Sequence, residues 1–180
     1  MKGRNETQYR NRFIQAGRTN KLVFIEKLKR FKNTSNIANF TLAFTKAFQL
    51  LLKQESNEGS NCNKVIMVLT DGASENAESV FKKYNWDNGR RVRVFTFLIG
   101  RDMIDSRQVE WMACANDGKY FHVATLADVN EHVHEYIPVL SQPMALLGLP
   151  ETTWSNVNLR FFERLNKHII TLVLIFSRFL

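Results

Sequence analysis

The segment Val65–Gly72, VIMVLTDG, ends a continuous apolar run in Thr70-Asp71-Gly72. Such a run reads as a strand buried on both faces. The carboxylate then stands at the strand's C-terminal end, with a glycine to turn the chain. In open α/β sheets that edge is where ligands bind. A carboxylate placed there can lend an oxygen to a hard cation, Mg²⁺ or Ca²⁺. Asp71 can equally cap a following helix, because Ser74-Glu75-Asn76 continues in helical style and Asp is a favoured N-cap. The residue type and its position support both readings.

The other residues capable of chemistry are few. His122, His132, His134 and His168 are the only histidines. His132 and His134 stand two apart on an expected helix, so they point in different directions and read as surface residues rather than a metal pair. No Gly-rich phosphate loop follows a strand, and no Ser/His/Asp or Cys/His motif stands out, which argues against an enzyme. The two cysteines, Cys62 and Cys114, are too few and too far apart for a zinc site or a disulfide framework. They can pair with each other, pair outside the chain, or stay free. Cys114, on a helix among Trp111, Met112 and Ala115, reads as a buried core residue.

The elements that position these residues follow from periodicity. Leu22, Ile25, Leu28 and Phe31 predict an amphipathic helix over Asn20–Phe31 with lysines outward. A second helix is expected over Asn36–Lys53, capped by Thr34 or Ser35, with Phe40, Phe44, Ala47, Phe48 and Leu51 inward. Gln54–Asn63 reads as a polar loop. After the VIMVL strand come a helix near Glu75–Tyr84, the turn Asn85–Gly89 and a strand Arg91–Ile99. A helix over Asp105–Ala115, the turn Asp117-Gly118 and a short strand Lys119–Val123 follow. Leu126–Leu140 is a last helix, punctuated by Pro138 and Pro143. Strands alternating with helices over 65–140 predict a parallel sheet with crossover helices, a doubly wound α/β fold.

Composition bounds the function. At 180 residues and 44% hydrophobic, the chain can build one domain with a real core. Ten Lys/Arg against two Glu in residues 1–32 account for the whole net charge of +8. Without aromatic interleaving or a recognised motif this basic arm, irregular over 1–19, reads as a solvated face, not a nucleic-acid site. Met1–Arg12 is polar and basic, with no signal-peptide pattern. Ile169–Phe176 (IITLVLIF) is far shorter than a spanning helix needs and reads as a buried strand or packing segment. Three glycosylation sequons start at Asn5, Asn33 and Asn39.

These pieces resemble a family. Val65–Gly72, then Phe81-Lys82-Lys83-Tyr84-Asn85-Trp86, Val92-Arg93-Val94-Phe95-Thr96-Phe97, Ile99-Gly100, Trp111-Met112-Ala113-Cys114-Ala115-Asn116, Gly118 and Leu140-Ser141-Gln142-Pro143 are similar to the von Willebrand factor A domain of calcium-channel alpha-2/delta subunits. The resemblance runs from about Gln15 to Met144, giving a partial A domain over 20–144. In the tail, 145–180, Trp154-Ser155-Asn156-Val157 is similar to the start of the Cache-like region that follows in the family.

The resemblance implies a divalent cation, Mg²⁺ or Ca²⁺, in a metal-ion-dependent adhesion site. That site draws on an Asp-x-Ser-x-Ser loop, a Thr of a second loop, and the Asp of a TDG-like third loop, matched by Asp71. No Asp-x-Ser-x-Ser occurs in the 180 residues, and Ala38 stands where the second-loop Thr would be. Asn36, Asn39 and Thr41 are the nearest substitutes. The family's central first strand is also missing, which predicts two uncovered strand edges and no tight cation binding by this chain alone. Cys62 resembles the cysteine that links the alpha-2 portion to the delta portion. The implied function is a non-catalytic interaction module of the auxiliary subunit. It would bind extracellular loops of the pore-forming calcium channel subunit and promote its surface expression, at the extracellular face of the plasma membrane. A generic extracellular A-domain adhesion protein and an inactive truncated fragment are the alternatives.

Overall fold

A computed structural model describes residues 13–30, 39–58, 63–73, 76–89, 92–100, 106–125, 127–132, 134–141 and 171–176. In chain order the elements are α1 (Arg18–Lys29), α2 (Phe40–Glu58), β1 (Lys64–Thr70), α3 (Glu78–Phe81), β2 (Val92–Ile99), α4 (Arg107–Cys114), β3 (Tyr120–Val123), α5 (Asp128–His132), α6 (Tyr136–Ser141) and β4 (Thr171–Phe176). The strands form one sheet in the order β3-β2-β1-β4, with every pairing parallel. Helices cover both faces, as the α/β pattern of the sequence requires.

The period-two alternation of the strands divides the core. Ile66, Val68, Val92, Val94 and Leu98 face α2, α3 and α4. Val65, Met67, Phe95 and Phe121 face the opposite way, against Leu140, Val139 and Tyr136. The first face is built on phenylalanine. Phe40, Phe44 and Phe48 of α2 are all buried, and the Phe44 and Phe81 rings meet edge to face at 4.7 Å. Each such buried side chain contributes about 1.5–3 kcal/mol.

Several local expectations need correction. Helix α1 forms, but none of its residues is buried: Leu22 and Ile25 are 60% and 49% exposed. Leu22-Val23-Phe24-Ile25 spreads apolar surface around the cylinder, so the helix has no single inward face. Helix α2 starts at Phe40 and runs through the first half of the supposed loop to Glu58; Thr34 and Ser35 lie outside the described residues. The expected helix Leu126–Leu140 is two short helices, α5 and α6. Pro138 explains the break: it has no N–H to donate inside a helix, and it is tolerated within the first turn of α6. Cys114 is exposed, not buried. The inward positions of α4 are Val109, Met112 and Ala113, which leaves Cys114 on the outer side.

One strand edge also departs from expectation. β1 is paired along both sides: Lys64–Thr70 with β2, and Lys64–Leu69 with β4. The apolar tail segment is thus a strand, and it closes an edge expected to be open.

The turns carry the buried polar groups. After α3 the helix widens into one π-helical turn, Lys82–Trp86, which brings Asn85 inside. Asn85 Nδ2 donates to the Val92 carbonyl at 2.9 Å and to Asn116 Oδ1 at 2.8 Å, and Asn85 Oδ1 accepts from Val92 N–H at 3.1 Å. Trp86 Nε1 also donates to Asn116 Oδ1, at 3.0 Å, and Asn116 Nδ2 donates to the Met112 carbonyl at 2.9 Å. Two of the strings that carried the family resemblance, Phe81–Trp86 and Trp111–Asn116, therefore meet in one internal network.

On the other face, the buried Arg93 donates through Nη1 to the Val139 carbonyl, tying α6 to the sheet. Burial pulls its guanidinium pKa down, and the charge of Asp117 opposes that shift. Lys119 Nζ and His132 Nδ1 both contact Glu135, at 2.5 and 2.9 Å. The hydrogen bond from Lys119, and then that from His132, hold the Glu135 carboxyl below its usual range. His132 is therefore a partly buried contact residue beside the Phe121 ring, while His134 is exposed.

Candidate functional site

The C-terminal ends of four parallel strands line up at one edge of the sheet, and Asp71 lies there, half-buried, just past β1. The neighbouring ends are Ile99-Gly100 on β2 and His122-Val123 on β3. Gly100 N–H donates to the Val123 carbonyl at 3.1 Å, and His122 Nε2 lies 2.9 Å from the Gly100 carbonyl oxygen. The Thr70 hydroxyl, the nearest side-chain oxygen in sequence to Asp71, is committed to its own turn. It donates to the Gly72 carbonyl and accepts from Gly72 N–H at 3.1 Å. Such a local side-chain to backbone loop holds the strand end in shape.

Asp71 does not cap the next helix. Helix α3 begins only at Glu78, and Glu78 N–H is met by Asn76 Oδ1 at 2.9 Å. Residues 72–77 of the sequence lie between Asp71 and the first residue of α3.

The second loop is also spoken for. Asn39 Oδ1 accepts from Leu42 N–H at 2.6 Å, and its carbonyl accepts from Ala43 N–H at 3.1 Å. Asn39 is thus the N-cap of α2. Asn39→Ala is expected to lower stability by about 1 kcal/mol, the usual worth of such a cap, read as an earlier midpoint in urea denaturation. Asn36, Ala38, Asn5, Asn33 and Cys62 lie outside the described residues.

A hard cation needs about six oxygens in Mg²⁺ geometry and six to eight for Ca²⁺. Among the described residues no group of three or more His, Cys, Asp or Glu could hold a metal ion. With Thr70 and Asn39 committed, Asp71 is, among the described residues, the carboxylate that stands directly past a strand end. The described donors do not fit a tightly held cation. Sequence reasoning found Asp71 but not the engagement of Thr70, and it left open which strand the apolar tail would join.

A parallel sheet wound on both faces, with an acid at the end of a central strand, defines the class. The model of the von Willebrand factor type A domain matches residues 7–135, and the chain belongs to that family. It is similar, more narrowly, to calcium-channel auxiliary subunits. It is 41% identical over 143 residues to human voltage-dependent calcium channel subunit alpha-2/delta-3, covering 79% of this chain and 13% of that protein. With the human alpha-2/delta-4 subunit it shares 40% identity over 154 residues, 83% of this chain and 13% of the relative. The Caenorhabditis elegans voltage-dependent calcium channel unc-36 is 47% identical over 88 residues, 49% of this chain and 7% of that protein. The chain spans about 13% of the length of the two human relatives. Among the described residues no helix is long and apolar enough to cross a membrane.

Proposed function

We propose that this chain is a non-catalytic interaction module of a voltage-gated calcium channel auxiliary subunit. It associates with extracellular loops of the pore-forming subunit and promotes that subunit's surface expression, at the extracellular face of the plasma membrane. The observation that carries the reading is the likeness to the alpha-2/delta subunits over about four-fifths of the chain. The internal network of Asn85, Trp86 and Asn116 supports it, because the strings shared with that subfamily are joints of the fold and not a loose surface motif.

On the same reading Asp71 is the third-loop ligand of an adhesion site that this chain leaves incomplete. Mg²⁺ or Ca²⁺ belongs to a chain that completes the ligand set, and this one alone does not hold it tightly. Cys62 joins the delta portion by a disulfide, and Asn5, Asn33 and Asn39 are glycan acceptors. Recognition needs no reacting group of this chain, only a shaped and charged edge. The test is co-precipitation of detergent-solubilised pore-forming channel subunit on the immobilised chain, beside an unrelated A domain. Enrichment over that control is expected, and retention no better than the control overturns the assignment.

A further inference from the structure

β1 is an uncharged strand from Val65 to Leu69, buried on both faces, and a strand of that kind belongs in the interior of a sheet. One of its edges is taken by β2. The other is taken by β4, over six consecutive parallel pairs from Lys64↔Thr171 to Leu69↔Phe176. β4 lies beyond the region matched by the A-domain family, which ends at residue 135. The domain's central strand is therefore completed by a segment the domain itself does not include. Residues 142–170 separate β4 from the end of α6. Among the described residues the tie that holds it is the ladder to β1, with α2 alongside.

The composition of β4 suits this place. TLVLIF has no charge, no proline and no glycine, and it is rich in residues favoured in strands. Backbone hydrogen bonds supply the affinity of an added strand, and they are the same for any extended segment that can lie in register. A free strand of equal composition meets β1 on equal terms. It loses only because β4 is tethered, with an effective concentration in the millimolar range.

We propose that Thr171–Phe176 is an exchangeable donor strand and that the edge of β1 it covers is a strand-binding site. The partner it fits is an uncharged, apolar extended segment that pairs parallel to Lys64–Leu69. The chain fills the site with its own tail, which also keeps a flat apolar edge from pairing with other chains.

The probe is a labelled peptide of residues 169–178 with a lysine-rich tail for solubility, added to the full chain. In the Val173→Pro/Leu174→Pro variant, consecutive residues lose their N–H groups, so one inward-facing bond is lost whichever way the strand lies. Anisotropy should show this variant binding the peptide one to one, at least about tenfold tighter than the unaltered chain. Hydrogen exchange at Met67 and Leu69, whose amides face β4, should speed up in the variant and slow again with peptide. A variant that folds, keeps β1 protected and takes no peptide overturns the proposal.

Should that variant fail to fold, a Val68→Cys chain with Cys62 and Cys114 replaced by serine decides alone. Val68 pairs with Ile175 in register. A peptide carrying Ile175→Cys, at concentrations in the millimolar range of the tether, should therefore form a mixed disulfide with the chain under oxidising exchange. A peptide of scrambled sequence should not. Equal yields from the two peptides overturn the proposal.

Discussion

Gly118→Ala is expected to remove a large share of the stability of this domain. A Cβ on Gly118 would lie 1.8 Å from the Val94 carbonyl oxygen and 2.6 Å from its carbon. Those atoms are backbone of a central strand, bonded into the sheet, so they cannot step aside as a flexible side chain would. The turn is held from three sides: Val94 N–H donates to the Asn116 carbonyl, Thr96 N–H to the Lys119 carbonyl, and Gly118 N–H to the Ala113 carbonyl. Relief of the overlap must break part of that set. A loss of about 3 kcal/mol or more is expected, as for severe overpacking. That is a large share of the roughly 5–15 kcal/mol that holds a typical domain together. The measurement is a urea midpoint beside the unaltered chain. An unchanged midpoint would show that the Gly118–Val94 approach is not needed.

The second large effect is expected at Asn116. Its side chain accepts from Asn85 and Trp86 and donates to the Met112 carbonyl, and it is fully buried. Asn116→Ala leaves one buried Asn85 N–H and the Met112 carbonyl without these partners. Trp86 keeps its second acceptor, the Ala115 carbonyl at 3.1 Å. A buried donor left unmet costs about 1–3 kcal/mol, so a total of about 3 kcal/mol is expected by thermal or urea unfolding. Cys114→Ala, two residues earlier in the same WMACAN string but exposed, should stay within about 0.5 kcal/mol. Equal effects at the two positions would contradict the assignment of the string to an internal joint.

These two residues show what sequence could and could not supply. The parallel sheet and its layers were legible because β1 and β2 are apolar runs bounded by Gly72 and Gly100, and because helical spacing placed Phe40, Phe44, Phe48 and Leu51 correctly. Asp117-Gly118 was legible as a turn, but not the division of labour within it. Asp117 takes the left-handed backbone, at φ 52°, while Gly118 is required for the close approach to β2. A turn motif names its residues without saying which neighbour they touch. Cys114 was misplaced because a run of apolar letters hides which side of a short helix faces inward. Helix α2 ran past its expected end because nothing between Gln54 and Glu58 breaks a helix. Pro138 could have signalled the division of the last helix. At the candidate site Asp71 was legible from its place after a buried run, whereas the engagement of Thr70 and Asn39 depends on hydrogen bonds that no spacing rule encodes.

The most direct test of the account is calorimetric titration of Mg²⁺ and Ca²⁺ into the 180-residue chain, beside Asp71→Ala. Because no group of three or more His, Cys, Asp or Glu among the described residues could hold a metal ion, no saturable heat is predicted up to about 1 mM, the weak end of extracellular calcium modules, and the two proteins should behave alike. Saturable binding in the unaltered chain, abolished by Asp71→Ala, would contradict the account and show that this edge assembles a cation site from donors beyond those described.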